Sequence, residues 1–191
     1  MANSCFTEYV FFGIKENTQR LLDDIRNVVS IDRSKENIPC TWLGYIKSNL
    51  LPEVKEELSS RGNLSNIEEN ITETGNGMAE VRLSTETAWC PCAELMDKVA
   101  EKYDLQVYYY AEEPGVGIFE TNDSDGLFFP FRYVVDSMEA GVGYYDSFHE
   151  AVDVIEDMTG IRLDNISEAK EKLSEFNKEN TFLLINEITV V

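Results

Sequence analysis

The order of hydrophobic and polar positions predicts strands that alternate with amphipathic helices. Tyr9–Ile14 is a β-branched and aromatic run between polar residues, which is typical of a strand. From Asn17 to Val29 the apolar residues recur at helical spacing and leave a charged opposite face, so this stretch predicts a helix. Ala79, Val81 and Leu83 alternate with polar residues, which indicates a strand with one buried face.

A second amphipathic helix is predicted from Pro91 to Asp104. Its apolar stripe consists of Cys92, Leu95, Met96, Val99, Ala100 and Tyr103. Pro91 suits the first helical position, because the N–H that proline lacks would have no partner there. Leu105–Ala111 then predicts a strand.

The C-terminal half predicts further strands and two more helices. Gly117–Glu120 can pair with the preceding strand across the Glu112–Gly115 turn, and a hairpin turn leads into Leu127–Asp136, which together predict a β-meander. The remaining predicted elements are a helix over Phe148–Met158 closed by Gly160, a helix over Ile166–Phe176 and a strand within Thr181–Val191.

Two stretches interrupt this pattern. Pro52 can open a short helix that continues through Val54–Leu58, and Ser59–Gly77 is polar and rich in Asn, Ser and Gly. We therefore predict one α+β domain over 1–191, with a polar surface insertion near 59–77 and a C-terminal helix and strand extension near 141–191. In this fold, an antiparallel sheet carries the helices Asn17–Val29 and Pro91–Asp104 on one face.

Composition limits the classes of partner. The chain has 191 residues, 43% of them hydrophobic, which is enough for one sizeable core. Its 36 acidic residues against 16 Lys and Arg give a net charge of −20, so phosphate backbones and anionic lipid surfaces would be repelled. Solvated surface faces explain such acidity most simply, and a surface that binds a basic partner is the sharper alternative.

The cysteines argue against a disulfide scaffold or a metal site. Cys5, Cys40, Cys90 and Cys92 are few for the chain length, which favours reduced thiols in a cytoplasm. The spacing C-x-C would need three remote segments to converge on one zinc ion, so we predict no metal and no cofactor, with Cys92 as core filler. The start of the chain does not resemble a signal peptide, and its apolar runs are too short to span a membrane.

No catalytic residues are assigned. His149 is the only histidine, and no serine occupies a G-x-S-x-G motif. Carboxylate pairs carry little information in a chain this acidic. Gly115-Val116-Gly117 precedes a predicted strand, whereas a phosphate-binding loop precedes a helix.

Two segments resemble one family. The first is Met1-Ala2-Asn3-x-Cys5 leading into Tyr9–Gly13. The second runs from Thr87-Ala88-Trp89-x-Pro91 through Lys102-Tyr103 to Glu112-Glu113-Pro114-Gly115. Together they are similar to the YubB-type ferredoxin-like domain proteins of plasmids and phages, with Ser4 where tryptophan is typical and Cys92 where a second proline is common. The resemblance implies a ferredoxin-like α+β sandwich without an iron-sulfur cluster, an origin in mobile elements, and no defined biochemical role.

These observations favour a non-enzymatic protein-interaction module that binds a basic partner, with imitation of nucleic-acid phosphates as one form of it. The alternative is a small-molecule sensor or enzyme whose pocket is lined by Trp89, Tyr109, Glu112, Glu113 and Phe119. A third possibility is a structural module that its acidity keeps in solution. Direct nucleic-acid or membrane binding is not expected.

Overall fold

The computed structural model describes residues 3–33, 35–55, 57–177 and 182–191. The chain divides into two compact units, Met1–Ile118 and Phe119–Val191, and each contains a hydrophobic core of its own. That one domain spans 1–191 stays a prediction. Within the described ranges, no helix is long and apolar enough to cross a bilayer.

The first unit is built on an antiparallel sheet. Its elements are β1 (Ser4–Ile14), α1 (Lys15–Ser30), α2 (Leu43–Leu50), β2 (Gly62–Ile67), β3 (Thr72–Gly75), β4 (Met78–Ala88), α3 (Ala93–Tyr103) and β5 (Gln106–Glu113). The strands lie in the order β5-β1-β4-β2, and β3 also pairs with β4. Because β1 is antiparallel to both neighbours, β4 and β5 are parallel to each other with β1 between them. The segment β4-α3-β5 is therefore a split β-α-β unit, which confirms the predicted α+β, ferredoxin-like fold class.

Helices α1 and α3 cover one face of this sheet. Leu21 and Ile25 of α1 and Leu95 and Val99 of α3 are all buried in the same core. The alternation of side chains along a strand directs Tyr9 and its neighbours at every second position into that core. The two predicted hydrophobic stripes thus meet over a single sheet face, as expected from their spacing.

The structure corrects two predictions in this unit. The helix predicted at Pro52 does not form in the described residues; instead α2 ends at Leu50, because a residue that precedes proline is disfavoured in the helical conformation. Helix α3 begins at Ala93, two residues after Pro91, so Pro91 lies outside it. The Asn17–Val29 helix is confirmed and extends by one or two residues at each end.

The polar segment Ser59–Gly77 contains two strands. Both β2 and β3 pair with β4 and expose most of their side chains, with Leu64 the buried residue of β2. Strands that expose most of their side chains need few hydrophobic residues, and in β2 only Leu64 and Ile67 reach the core. This is why the pattern indicated a surface excursion at this point.

The second unit contains one three-stranded sheet and one parallel strand pair. Its elements are β6 (Ile118–Thr121), β7 (Tyr133–Ser137), β8 (Gly141–Tyr145), α4 (Phe148–Thr159), a 3-10 turn (Ile166–Glu168), α5 (Ala169–Phe176), β9 (Leu183–Glu187) and β10 (Thr189–Val190). The sheet has the order β8-β7-β9 and is antiparallel, whereas β10 pairs in parallel with β6. Ser147 caps the start of α4, and Gly160 ends it in the left-handed conformation.

The hairpin predicted to lead from Gly117–Glu120 into Leu127–Asp136 does not form. β6 pairs with β10 from the end of the chain, and β7 pairs with β8 and β9. The strand predicted over Leu127–Asp136 is shortened to Tyr133–Ser137, because the preceding residues form an irregular loop. The predicted helix and strand at Phe148 and Thr181–Val191 correspond to α4 and to β9 with β10, although Thr181 lies outside the described residues.

The irregular loop is held by a buried carboxylate. Asp123 is 1% exposed, and its carboxylate accepts hydrogen bonds from the backbone N–H groups of Leu127, Phe128 and Phe129 at 3.0, 2.6 and 2.8 Å. Burial alone would raise the pKa of Asp123, but these three donors and the nearby charge of Arg132 outweigh burial and lower it. The Asp123 carboxylate thereby replaces the strand pairing that this stretch lacks.

Candidate functional site

The two predicted ligand residues in the middle of β5 lie on opposite faces of the sheet. Tyr109 is 7% exposed and packs in the core of the first unit, with its ring centroid 5.8 Å from that of Tyr9. Glu112, three positions later, projects from the other face and accepts a hydrogen bond from the Tyr110 hydroxyl at 2.9 Å. The structure therefore does not bring Tyr109 and Glu112 together in one pocket.

Glu113 holds the turn that follows β5. Its side chain is buried, and its carboxylate accepts hydrogen bonds from the backbone N–H of Gly115, at 3.1 Å, and of Val116. A Cβ at Gly115 would approach Glu113 Oε1 to 2.8 Å and Asn3 Nδ2 to 2.5 Å, so those two side chains would have to move. The Glu113 carboxylate is thus engaged in shaping its own loop.

The remaining predicted ligand residues belong to different units. Trp89 follows β4 in the first unit with a φ of 74°, and its side chain is 44% exposed. Phe119 lies on β6 in the second unit and is buried. Phe119 is therefore separated by unit from the other four predicted ligand residues.

The residues considered for metal or nucleophilic chemistry are separated. Cys5 and Cys92 are buried, whereas Cys40 and Cys90 are exposed, and all four are free thiols. In the part of the chain that the structure describes, no group of three or more His, Cys, Asp or Glu side chains could hold a metal ion. His149 is exposed on α4, with its Nε2 3.6 Å from an Asp153 carboxylate oxygen.

Acidic residues are unevenly distributed between the two units. Phe119–Val191 carries 16 Asp and Glu against 5 Lys and Arg, and Met1–Ile118 carries 20 against 11 although it is the longer unit. The second unit is therefore the more strongly negative for its length. Its surface is the first place to look for a binding site for cations.

The described basic side chains of the second unit are engaged inside it. Both terminal nitrogens of Arg132 donate to backbone carbonyls, at 2.7 Å to Phe129 and at 2.9 Å to Asp123. Arg162 pairs with Glu156 and lies 3.7 Å from Asp153. Lys172 lies 2.6 Å from Glu168 and 3.6 Å from Asp164.

A row of carboxylates follows one face of α4. Asp146, just before the helix, and Glu150, Asp153 and Asp157 within it are all exposed and are spaced by four, three and four residues. Within the helix this spacing places Glu150, Asp153 and Asp157 on one face, with neighbouring Cβ atoms about 5–6 Å apart, whereas Asp146 precedes the extended N-cap residue Ser147. Among the described residues, neither Glu150 nor Asp157 forms an ion pair. We call these four residues the α4 acidic row.

Helix stability explains only part of this row. A carboxylate in the first turn, such as Glu150, is favoured by the helix dipole. Asp157 lies in the last turn, which contains no basic residue, and there the dipole opposes a negative charge. Helix stability therefore does not account for Asp157.

A cleft adjoins the N-terminal end of the row. It has a volume of about 770 Å³, and Asp146 and Glu187 line it together with the apolar side chains of Phe148 and Ile188. Tyr133 also lines the cleft, and burial together with the nearby Glu187 carboxylate raises its pKa. Arg132 also lines the cleft, so a guanidinium of the protein itself lies there with the two carboxylates.

Helix α3 of the first unit carries a second, more mixed set of charges. Glu94, Asp97 and Glu101 are exposed on it, and Lys98 lies 2.9 Å from Glu101. Partial burial, followed by repulsion from Glu101 and Glu94, raises the pKa of Asp97. Lys98 partly neutralises this face.

The spacing of the α4 acidic row is visible in the sequence, but the overall acidity of the chain makes it uninformative. The four-three-four spacing can be read from residues 146 to 157 once a helix is predicted there. In so acidic a chain, however, such spacing occurs readily by chance. What distinguishes the row is that Glu150 and Asp157 form no ion pair among the described residues, although Arg162 and His149 lie close to Asp153, and this requires coordinates.

Comparison with known families adds one match. Residues 68–126 match the family described as the ferredoxin-like domain in Api92-like protein. The match covers less than a third of the chain and contains β3, β4, α3 and β5, which include the split β-α-β unit. No curated protein matches this chain.

Proposed function

We propose that this chain is a non-enzymatic interaction module that binds a basic protein through the α4 acidic row. The observation that supports this most directly is the contrast within the second unit. There the described Arg and Lys side chains are paired internally, while Glu150 and Asp157 face solvent without an ion pair among the described residues. A basic partner would relieve the repulsion among these carboxylates.

The geometry fits an electrostatically guided encounter. The three carboxylates on α4, with Cβ atoms about 5–6 Å apart, present a line rather than a point, and a line selects partners with several cationic groups in register. Interactions of this type form quickly and weaken as salt screens the charges.

A narrower form of the proposal is imitation of nucleic acid. Regularly repeated negative charge on a rigid helix resembles a phosphate backbone to a nuclease or nucleoid protein. The resemblance to YubB-type proteins of plasmids and phages, to which the matched segment at residues 68–126 adds a related ferredoxin-like domain, supports placing the chain on a mobile element. In that setting the partner would be a basic protein of the host cytoplasm.

The competing proposal of a pocket at Trp89, Tyr109 and Phe119 gains no support from geometry. Tyr109 is packed in the core, and Glu112 and Glu113 are hydrogen-bonded within their own segment. A thermal-shift screen with metabolites and nucleotides tests it directly. Reproducible stabilisation by one ligand class would favour the pocket.

The test of the main proposal uses a fluorescent twelve-residue peptide of alternating Lys and Gly, whose glycines disfavour strand formation. We expect the triple variant Glu150→Gln, Asp153→Asn, Asp157→Asn to weaken binding about tenfold in fluorescence anisotropy at low salt. High salt should weaken binding to the unchanged protein as well.

The matched control removes the same charge elsewhere. Glu57, Glu69 and Glu86 are exposed in the first unit, and their triple replacement by Gln removes the same number of negative charges. If both triple variants weaken peptide binding to the same extent, the attraction depends on overall charge and the α4 acidic row is not the site. A duplex DNA that displaces partners captured from host lysate would support the narrower, mimicry form.

A further inference from the structure

The outer edge of β9 presents unpaired backbone groups. β9 is the last strand of the order β8-β7-β9. Met138 N–H donates to the Phe182 carbonyl at 3.0 Å, and Ile188 N–H donates to the Arg132 carbonyl at 2.8 Å. In this antiparallel register the even-numbered residues of β9 bond to β7, so the odd-numbered residues direct their backbone groups outward.

At Leu183, the side chain of Asn177 makes the hydrogen bonds that a neighbouring strand would make. Its side-chain amide donates to the Leu183 carbonyl at 3.1 Å and accepts from the Leu183 N–H at 2.8 Å. This is the donor and acceptor pattern of an antiparallel strand residue. Asn177 therefore already occupies the outward backbone groups of Leu183, so another strand could pair only beyond this residue.

Beyond Leu183 the edge borders a groove. The outward backbone groups of Ile185 and Glu187 have no hydrogen-bond partner among the described residues. The groove has a volume of about 560 Å³. Ile185 and Asn186 of β9 line one side of it, and Leu173 and Ser174 of α5 line the other. On the other face of β9, Leu184 is 48% exposed.

We propose that an extended segment of a basic protein adds to β9 as a fourth strand. This inference rests on the proposed function and names the way in which the partner docks. Main-chain hydrogen bonds to Ile185 and Glu187 would provide affinity, and alternate side chains would enter the groove toward Leu173. An edge strand left open is otherwise a liability for aggregation.

Charge selects the occupant. A second copy of this chain would bring a further net charge of −20 to the same place, so self-pairing is opposed by repulsion. A strand that alternates apolar and basic residues has the complementary charge for a unit with 16 acidic residues against 5 basic ones. Its apolar residues would face the α5 wall.

The test uses the full chain and a synthetic eight-residue peptide of alternating Lys and Val. We expect the peptide to slow hydrogen exchange of the Ile185 and Glu187 amides. N-methylation of every second peptide residue should weaken binding about tenfold, since two backbone hydrogen bonds are lost. This arm leaves the protein unchanged, so misfolding cannot explain the result.

A protein variant provides the second arm. Ser174→Trp fills the groove from an exposed position on α5 and should weaken binding of the Lys-Val peptide. Glu171→Trp, on the same helix but outside the groove lining, should leave this binding unchanged. If the peptide does not bind, or if N-methylation leaves its affinity unchanged, the edge inference is wrong.

A Glu-Val peptide separates the edge inference from the proposed function. If Glu-Val protects the Ile185 amide as strongly as Lys-Val does, pairing at the edge stands and the requirement for a basic partner fails. A different outcome is that the Lys-Gly peptide still binds through the α4 acidic row while the affinity of the Lys-Val peptide does not change on N-methylation. In that case the proposed function stands and the edge inference fails.

Discussion

The Tyr103 hydroxyl donates a hydrogen bond to the Asp24 carboxylate at 2.7 Å, which ties the end of α3 to α1. Tyr103 is 1% exposed, so this is the polar end of a core side chain. We expect Tyr103→Phe to lower the free energy of unfolding by about 1 kcal/mol, measured by urea denaturation. Tyr45→Phe is the control, since Tyr45 bonds Glu36 in a solvent-exposed pair and its loss should change stability little.

The same residue predicts a dependence on alkaline pH. Burial, and next the hydrogen bond to Asp24, raise the pKa of Tyr103 above its ordinary value of 10.0. The folded state therefore keeps the proton after the unfolded state has lost it, and stability falls as pH rises above 10.0. Unfolding curves of Tyr103→Phe should fall less steeply over this range; an identical slope would contradict the assignment.

Asp123 predicts the opposite dependence at acidic pH. Its lowered pKa means that the carboxylate stabilises the fold above its ordinary value of 3.8, and that this contribution is lost as pH falls through the folded pKa. Asp123→Asn should lower stability by about 2 kcal/mol at neutral pH and flatten the acid limb of the unfolding profile. Asp125→Asn, an exposed neighbour, should leave both unchanged.

Gly62 is predicted to be required by backbone spacing. A Cβ at this position would lie 2.3 Å from the Glu86 carbonyl oxygen and 2.7 Å from the Thr87 Cα, and neither atom can rotate away. Gly62→Ala should therefore separate β2 from β4 and reduce stability by about 1–3 kcal/mol. Ser65→Ala, on the exposed part of the same strand, serves as the control in urea unfolding.

The two cores predict localised effects of core mutations. Ile155 is fully buried in the core of the second unit, so Ile155→Ala should destabilise that unit by about 2–5 kcal/mol. Native-state hydrogen exchange should show lost protection in β7 and β9 with β1 and β4 little affected. Equal loss in all four strands would instead indicate one cooperative domain over 1–191.

The thiols should react in two classes. Cys40 and Cys90 are exposed, whereas Cys5 and Cys92 are buried, and burial raises the pKa of the Cys92 thiol. Because the thiolate is the reactive form, iodoacetamide at neutral pH should modify the exposed pair first. Mass spectrometry of the partly alkylated protein checks this, and early modification at Cys92 would show that its core opens readily.

Local periodicity was sufficient to predict most of the helices. The stripe containing Leu21 and Ile25 and the stripe containing Leu95 and Val99 each identified a helix face, and both faces are buried in one core. The predictions failed where a local preference was overruled, as at Pro91, which precedes α3, and at Pro52, which follows the end of α2. Proline limits the conformation of its neighbours, but it does not fix the residue at which a helix begins.

Strand partners were less accessible, because pairing depends on residues far apart in the chain. The pairing of β6 with β10 joins segments about seventy residues apart, which no local turn pattern indicates. The candidate ligand residues failed to converge for a related reason: Tyr109 and Glu112 are close in sequence, but strand alternation places them on opposite faces.

The sequence by itself determined the α+β class, the helix faces and the excess of negative charge, since each depends on composition or on short-range spacing. The tertiary structure decided where the charge is unopposed, because Arg132, Arg162 and Lys172 find their partners only after folding. It also decided which strand has an open edge, because the Ile185 backbone is unpaired only in the sheet order that places β9 outermost.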